Sequence, residues 1–255
     1  MAPSIDLNSD SGEAYGSWRM GDDAAMMRIV SSANIACGYH AGDPVTMQST
    51  CAAASENRVA IGAHVSYPDL MGFGRRYLKM SQKELTAAVL YQMGALEAMA
   101  HLAGTKISYL KPHGGLYNAI VHDKEQAEAV ATALKEYGGN LPVLCLPQSE
   151  IEKAAHKLDL PVVYEAFADR AYTPEGRLVP RSQQGAVIHD TDAVIERVLR
   201  MVLDHQVTAI SGENLTLEAQ SICVHGDTPG ALNLAQQIHT ALTREGVAIE
   251  PFIGR

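Results

Sequence analysis

Acids, imidazoles and amines recur along this chain at the ends of short apolar runs. Asp6 and Asn8 alternate with Ile5 and Leu7, and Asp10 and Glu13 follow directly. His40 comes just after Ile35-Ala36-Cys37, and His64 ends Val59-Ala60-Ile61-Gly62-Ala63. Lys111 and His113 flank Pro112, while Glu165, Asp169 and Arg170 follow Val162-Val163-Tyr164. His225 and Asp227 follow Ile222-Cys223-Val224. Carboxylates and histidines brought together can bind a divalent metal and activate water. They can equally act without metal as general acid and base. Lys111, Arg76 and Arg170 supply positive charge for an anionic substrate or a developing oxyanion. No Gly-x-Ser-x-Gly sequence points to a nucleophilic serine, and Cys37-Gly38 near His40 is a weak signal for a thiolate.

A lone histidine at a strand end is more often structural than catalytic. Six strand ends bearing such groups are harder to dismiss, because burying unpaired charge is unfavourable. Side chains alternate faces along a strand, so Asp6 pairs with Asn8, Lys111 with His113, and His225 with Asp227. The small residues Ala60 and Gly62 before His64 suit a crowded interior.

The elements that must position these groups follow from periodicity and caps. Strands are expected over 4–8, 32–37, 59–64, 107–112, 141–147, 161–167 and 220–225, with a terminal strand-like segment over 247–252. Asp43 with Pro44 opens a helix to about Asn57, and Ser81 with Glu84 forms a capping box for the longest helix. Further helices are expected over 123–137, 149–157, 190–205 and 231–244. Asp43 and Asp190 read as caps alone. Residues 172–188 break the rhythm with Pro174, Gly176, Pro180, Gly185 and two arginines, which suggests a lid or a partner contact. Alternating strands and helices, with strands that are nearly continuous apolar runs, indicate a parallel β/α barrel of seven or eight strands forming one domain over 1–255. An open doubly wound sheet is the rival, but no glycine-rich dinucleotide fingerprint or phosphate-loop lysine follows any strand.

The chain has 255 residues, 47% of them hydrophobic, enough for one large core. Its net charge of −9 and lack of a basic block argue against nucleic acid and anionic membranes as partners. Four widely spaced cysteines read as reduced thiols. The first strand begins too near Met1 for a signal peptide, and no apolar run approaches a spanning length, so a cytoplasmic protein is expected.

The motifs Asp6-Leu7-Asn8-x-Asp10-x-Gly12-Glu13, Ala33-Asn34-Ile35-Ala36-Cys37-Gly38-Tyr39-His40-Ala41-Gly42-Asp43-Pro44, Gly62-Ala63-His64, Gly72-Phe73-Gly74-Arg75-Arg76, Lys111-Pro112-His113-Gly114, Glu165-Ala166-Phe167-Ala168-Asp169-Arg170 and Val224-His225-Gly226-Asp227 closely resemble the LamB/YcsF family. Val65 and Gly115 are small departures that remove no functional group. The resemblance implies a barrel of the glycoside hydrolase/deacetylase class. It also implies ATP-dependent opening of 5-oxo-L-proline to L-glutamate, with Mg2+ accompanying ATP and with 5-oxoprolinase subunits B and C as partners. On that reading Asp10, Lys111, His113, His225 and Asp227 are the catalytic candidates, and Asn8, Glu13, Arg76, Glu165 and Arg170 the substrate-binding ones. The deacetylase kinship carries an alternative, a metal-dependent amide hydrolase without ATP, with Asp6, His40 and His64 as ligands. A third possibility is a non-catalytic subunit that only binds substrate.

Overall fold

In the computed structural model, which describes residues 3–224 and 230–253, each short apolar run becomes a strand and each capped amphipathic run a covering helix. The strands are β1 (Ser4–Ser11), β2 (Ser32–Ala36), β3 (Ala60–His64), β4 (Ile107–Leu110), β5 (Val143–Cys145), β6 (Val162–Phe167), β7 (Gln206–Thr208), β8 (Asn214–Thr216), β9 (Ser221–Val224) and β10 (Ala248–Ile249). The helices are α1 (Asp23–Met26), α2 (Pro44–Glu56), α3 (Gln82–Leu102), α4 (Gly114–Ala119), α5 (Lys124–Tyr137), α6 (Glu150–Lys157), α7 (Thr191–Leu203) and α8 (Ala231–Arg244).

β1 through β6 pair in sequence, and β9 pairs with both β6 and β1, so seven parallel strands close into a barrel. Closure leaves no exposed edge in the ring, and it gathers the C-terminal strand ends at one mouth. β10 pairs only with the first residues of β1, at Ser4 and Ile5, far from that mouth. The eighth strand is therefore a short addition outside the ring.

Local chemistry explains the helix starts. The Asp43 side chain accepts from the backbone N–H groups of Val45 and Thr46, and Pro44 occupies the first turn. Ser81 and Glu84 form the reciprocal capping box that opens α3. Leu85, Val89, Met93 and Leu96 recur at helical spacing and are fully buried, which fixes the face α3 turns to the barrel.

Three features depart from the sequence reading. β1 runs three residues further, to Ser11, because its polar tail finds partners inside the barrel. The glycine-rich stretch after Lys111 winds into α4, and 206–216 holds the antiparallel hairpin β7–β8. The 172–188 excursion is irregular, tied by bridges between Arg170 and Val187 and between Tyr172 and Leu178. All four cysteines are free and buried, and among the described residues no helix is long and apolar enough to cross a membrane.

Candidate active site

Asp6, Asn8 and Asp10 share the inward face of β1, as period-two alternation requires. They do not share a depth. At about 3.3 Å per residue, Asp6 lies roughly 13 Å along the strand below Asp10. The Asp6 carboxylate accepts from the hydroxyls of Ser31 and Ser32, each at 2.6 Å, and from Ser221. Asn8 accepts from Asn34 Nδ2 at 2.7 Å and donates to Ser221 Oγ at 2.6 Å. The Tyr109 hydroxyl donates to Asn34 Oδ1 at 2.7 Å. Its ring crosses the barrel over Gly62, where an added Cβ would stand 2.0 Å from a ring carbon. Asp6 and Asn8 are thus tied into the barrel filling. This corrects the expectation that Asp6 joins His40 and His64 as a ligand and that Asn8 binds substrate.

Lys111 caps this column. It is 2% exposed, and Nζ lies 3.0 Å from Glu165 Oε2, 3.2 Å from Asp10 Oδ1, 3.2 Å from Asn8 Oδ1 and 3.1 Å from Cys223 Sγ. Burial alone would lower its pKa, but Asp10, Cys223 and Glu165 together carry it well above the ordinary lysine value. The ammonium is charged and its donors are occupied. Glu165 is fully buried against it, which removes Glu165 from the substrate-binding set. Burial pushes the Cys37 and Cys223 thiols upward, so neither is an activated nucleophile.

Above Lys111 opens a cavity of about 500 Å³. Asp10, Lys111, Phe167, Glu13, His64 and His113 line it, together with Arg75, Arg177 and Arg181. The excursion therefore contributes directly to the cavity, through residues 177–181. His40 and His113 stack with ring centroids 3.8 Å apart and nearly parallel, and His64 meets both edge-on. His40 Nε2 lies 3.1 Å from Glu13 Oε1, and His113 Nε2 lies 3.7 Å from the same oxygen. His64 Nε2 faces Asp10 Oδ1 at 3.4 Å. Burial, reinforced by neighbouring imidazoles, holds His40 and His113 well below the ordinary histidine pKa, so both rings are neutral. Gly74, at φ +63, lets its loop close over this cluster: a Cβ there would sit 2.8 Å from both His113 Nδ1 and His40 Cβ.

Two expected arginines take other parts. Arg76 pairs with Asp69 and its side chain is 66% exposed, whereas the neighbouring Arg75 lines the cavity. The left-handed pair Phe73 and Gly74, at φ 53° and 63°, precedes both arginines. Arg170 touches the cavity, but its Nη2 donates to the Val179 carbonyl at 2.6 Å and its Nε to the Ala186 carbonyl at 3.3 Å. It chiefly pins the excursion. His225 and Asp227 lie outside the described residues. Sequence reasoning missed Arg75, Arg177 and Arg181 as cavity residues; the two arginines within an irregular excursion were the available signal for the last two.

The chain is a closed β/α-barrel protein whose acid and imidazole groups converge at the C-terminal mouth. It belongs to the LamB/YcsF family, whose model matches residues 5–254. The A subunit of 5-oxoprolinase from Kocuria rhizophila is 55% identical over 97% of this chain and 98% of its own length. A protein of the same name from Photorhabdus laumondii is 51% identical over 98% of this chain and 99% of its own. A lactam utilization protein from Thermus thermophilus superposes with a TM-score of 0.93 at 42% identity, covering 98% of this chain and 100% of that one. A family 4 carbohydrate esterase from Streptomyces lividans shares the fold alone, at 14% identity and a TM-score of 0.52 over 97% of this chain and 91% of that one.

Proposed function

We propose that this chain is the A component of a 5-oxoprolinase and takes part in hydrolysing the lactam of 5-oxo-L-proline to L-glutamate, with ATP cleaved to ADP and phosphate in the presence of Mg2+. Subunits B and C are its expected partners, and the cytoplasm its expected location. The observation that carries this reading is end-to-end similarity, at 55% identity, to a relative named for that activity. The cavity is consistent with it, being wide enough for a small cyclic amide and combining general acid–base groups with arginines.

Opening the ring adds water oxygen to the carbonyl carbon, breaks the C–N bond and delivers a proton to nitrogen. The unstrained five-membered lactam resists this near neutral pH. Phosphorylation of the amide oxygen by ATP would make the carbonyl carbon electrophilic. Water then attacks it, the C–N bond breaks as nitrogen takes a proton, and a second water cleaves the resulting acyl phosphate to carboxylate and phosphate. Asp10, held by Lys111 and Asn34, and His113 are the cavity groups that can exchange protons with water or the ring nitrogen. Because Lys111 is fully engaged, the substrate carboxylate falls to Arg75, Arg177 and Arg181. Lys111 instead holds Asp10 in place.

The test measures glutamate release and ATP hydrolysis with this chain alone, then with subunits B and C added. Turnover that requires all three supports the reading; a B–C mixture equally active without this chain overturns it. The Glu13–His40–His64–His113 cluster favours a second reading, metal-dependent amide hydrolysis. Glutamate release by this chain with a divalent metal and no ATP would select that reading instead.

A further inference from the structure

Four buried side chains from separate segments meet at the top of the barrel. One donor atom from each of Glu13, His40, His64 and His113 lies within 4.8 Å of every other, and none of the four residues exceeds 7% exposure. Three nitrogens in this cluster, His40 Nδ1, His64 Nε2 and His113 Nδ1, are buried with no hydrogen-bond partner. Buried polar atoms are ordinarily satisfied. Of these three, only His64 Nε2 is a nitrogen the cluster would present to an ion, since His40 and His113 turn Nε2 rather than Nδ1 toward Glu13.

His64 gives the sharpest indication. Its Nδ1 is 2.9 Å from the Lys111 carbonyl, which only accepts, so Nδ1 carries the proton. That leaves Nε2, 3.4 Å from a carboxylate oxygen of Asp10, as the nitrogen open to a metal ion or a second proton. The carbonyl also fixes the ring's orientation, as the outer partner of a metal-binding histidine does.

The spacing suits an ion. Donors at about 2.0–2.2 Å around a tetrahedral centre lie roughly 3.4 Å from one another. The Glu13 oxygen is 3.1 Å from His40 Nε2 and 3.7 Å from His113 Nε2, on either side of that value. We propose that Glu13, His40, His64 and His113 form a binding site for one divalent cation of the zinc class. Three imidazoles with one carboxylate match borderline first-row metals better than Mg2+ or Ca2+, which prefer all-oxygen shells. The site stands apart from the lactam reading: either could fail and leave the other intact.

The test uses the whole chain, freed of metal with a chelator and then titrated with Zn2+, Mn2+ and Co2+. Bound metal per chain, the cobalt absorption spectrum and the thermal midpoint are read, with no activity assay. The expected result is one ion per chain, a cobalt spectrum of low-symmetry nitrogen–oxygen coordination and a raised midpoint. Glu13→Gln and His113→Asn should each weaken binding by at least about 10–100-fold, the loss typical even of outer-shell changes. Both are close in size to the native residues, and circular dichroism establishes that they fold. Failure to bind any of the three metals overturns the proposal. So does binding that both variants leave unchanged, and so does a His64 ring shown by NMR to be doubly protonated, with a proton in the place of the ion.

Discussion

Two polar zones occupy the interior of one barrel, and they differ in how their atoms are satisfied. In the lower zone Asp6, Asn8, Asn34, Tyr109 and Ser221 bond to one another and to Ser31 and Ser32. In the upper zone three imidazole nitrogens, equally buried, have no hydrogen-bond partner; at the boundary the two Glu165 oxygens lack one as well, but there the Lys111 ammonium lies 3.0 Å away. An unmet buried polar group costs about 1–3 kcal/mol. Leaving several together is tolerable where something outside the chain completes them. Burial and polar type therefore do not distinguish filling from function here; the bonding capacity left over does.

Lys111, at the boundary, tests the contrast most severely. Lys111→Met leaves Asp10 and Glu165 without their buried cation and should cost about 3–5 kcal/mol in urea unfolding, with activity lost alongside. Adding Glu165→Gln should restore part of that stability. A loss under about 1 kcal/mol would place Lys111 with the ligand-facing groups instead.

His113→Ala should behave in the opposite way. It is expected to lower kcat of the reconstituted enzyme by about 10²–10⁴-fold. The stability of the metal-free chain should fall by less than with Lys111→Met, since ring packing is lost but no buried charge is stranded. A stability loss matching that of Lys111→Met would erase the distinction between the zones.

Asp43 calibrates what one satisfied carboxylate is worth away from the barrel. Its pKa is lowered to about 2, first by the Gly16 backbone N–H and then by Thr46. A depressed folded-state pKa means the contribution is complete above the unfolded value of about 3.9 and disappears as pH falls through about 2. Asp43→Ala should therefore cost about 1 kcal/mol near neutrality. Unfolding curves of the two proteins should converge in strong acid, and a difference that persists there would point to packing as its source.

Much of this was legible in the residues. The alternation of apolar runs and capped helices marked a barrel, and Asp43 and the Ser81–Glu84 pair opened their helices as expected. The parity of β1 correctly aligned Asp6 with Asn8 on one face. Parity carries no depth, however, so it could not tell that Asp6 and Asn8 lie in the filling and that only Asp10 reaches the cavity. Neither could spacing separate Arg75, which lines the cavity, from Arg76, which pairs with Asp69.

Periodicity and composition are local properties, and they were enough to mark which segments form strands and helices and which chemical types follow them. They were silent on three outcomes of folding: Glu13 rather than Asp6 meets the histidines, Lys111 and Glu165 form a buried ion pair, and the excursion brings Arg177 and Arg181 to the cavity. Each depends on how high a side chain sits in a closed ring and on which neighbour reaches it first. Both are set by packing between segments far apart in the chain.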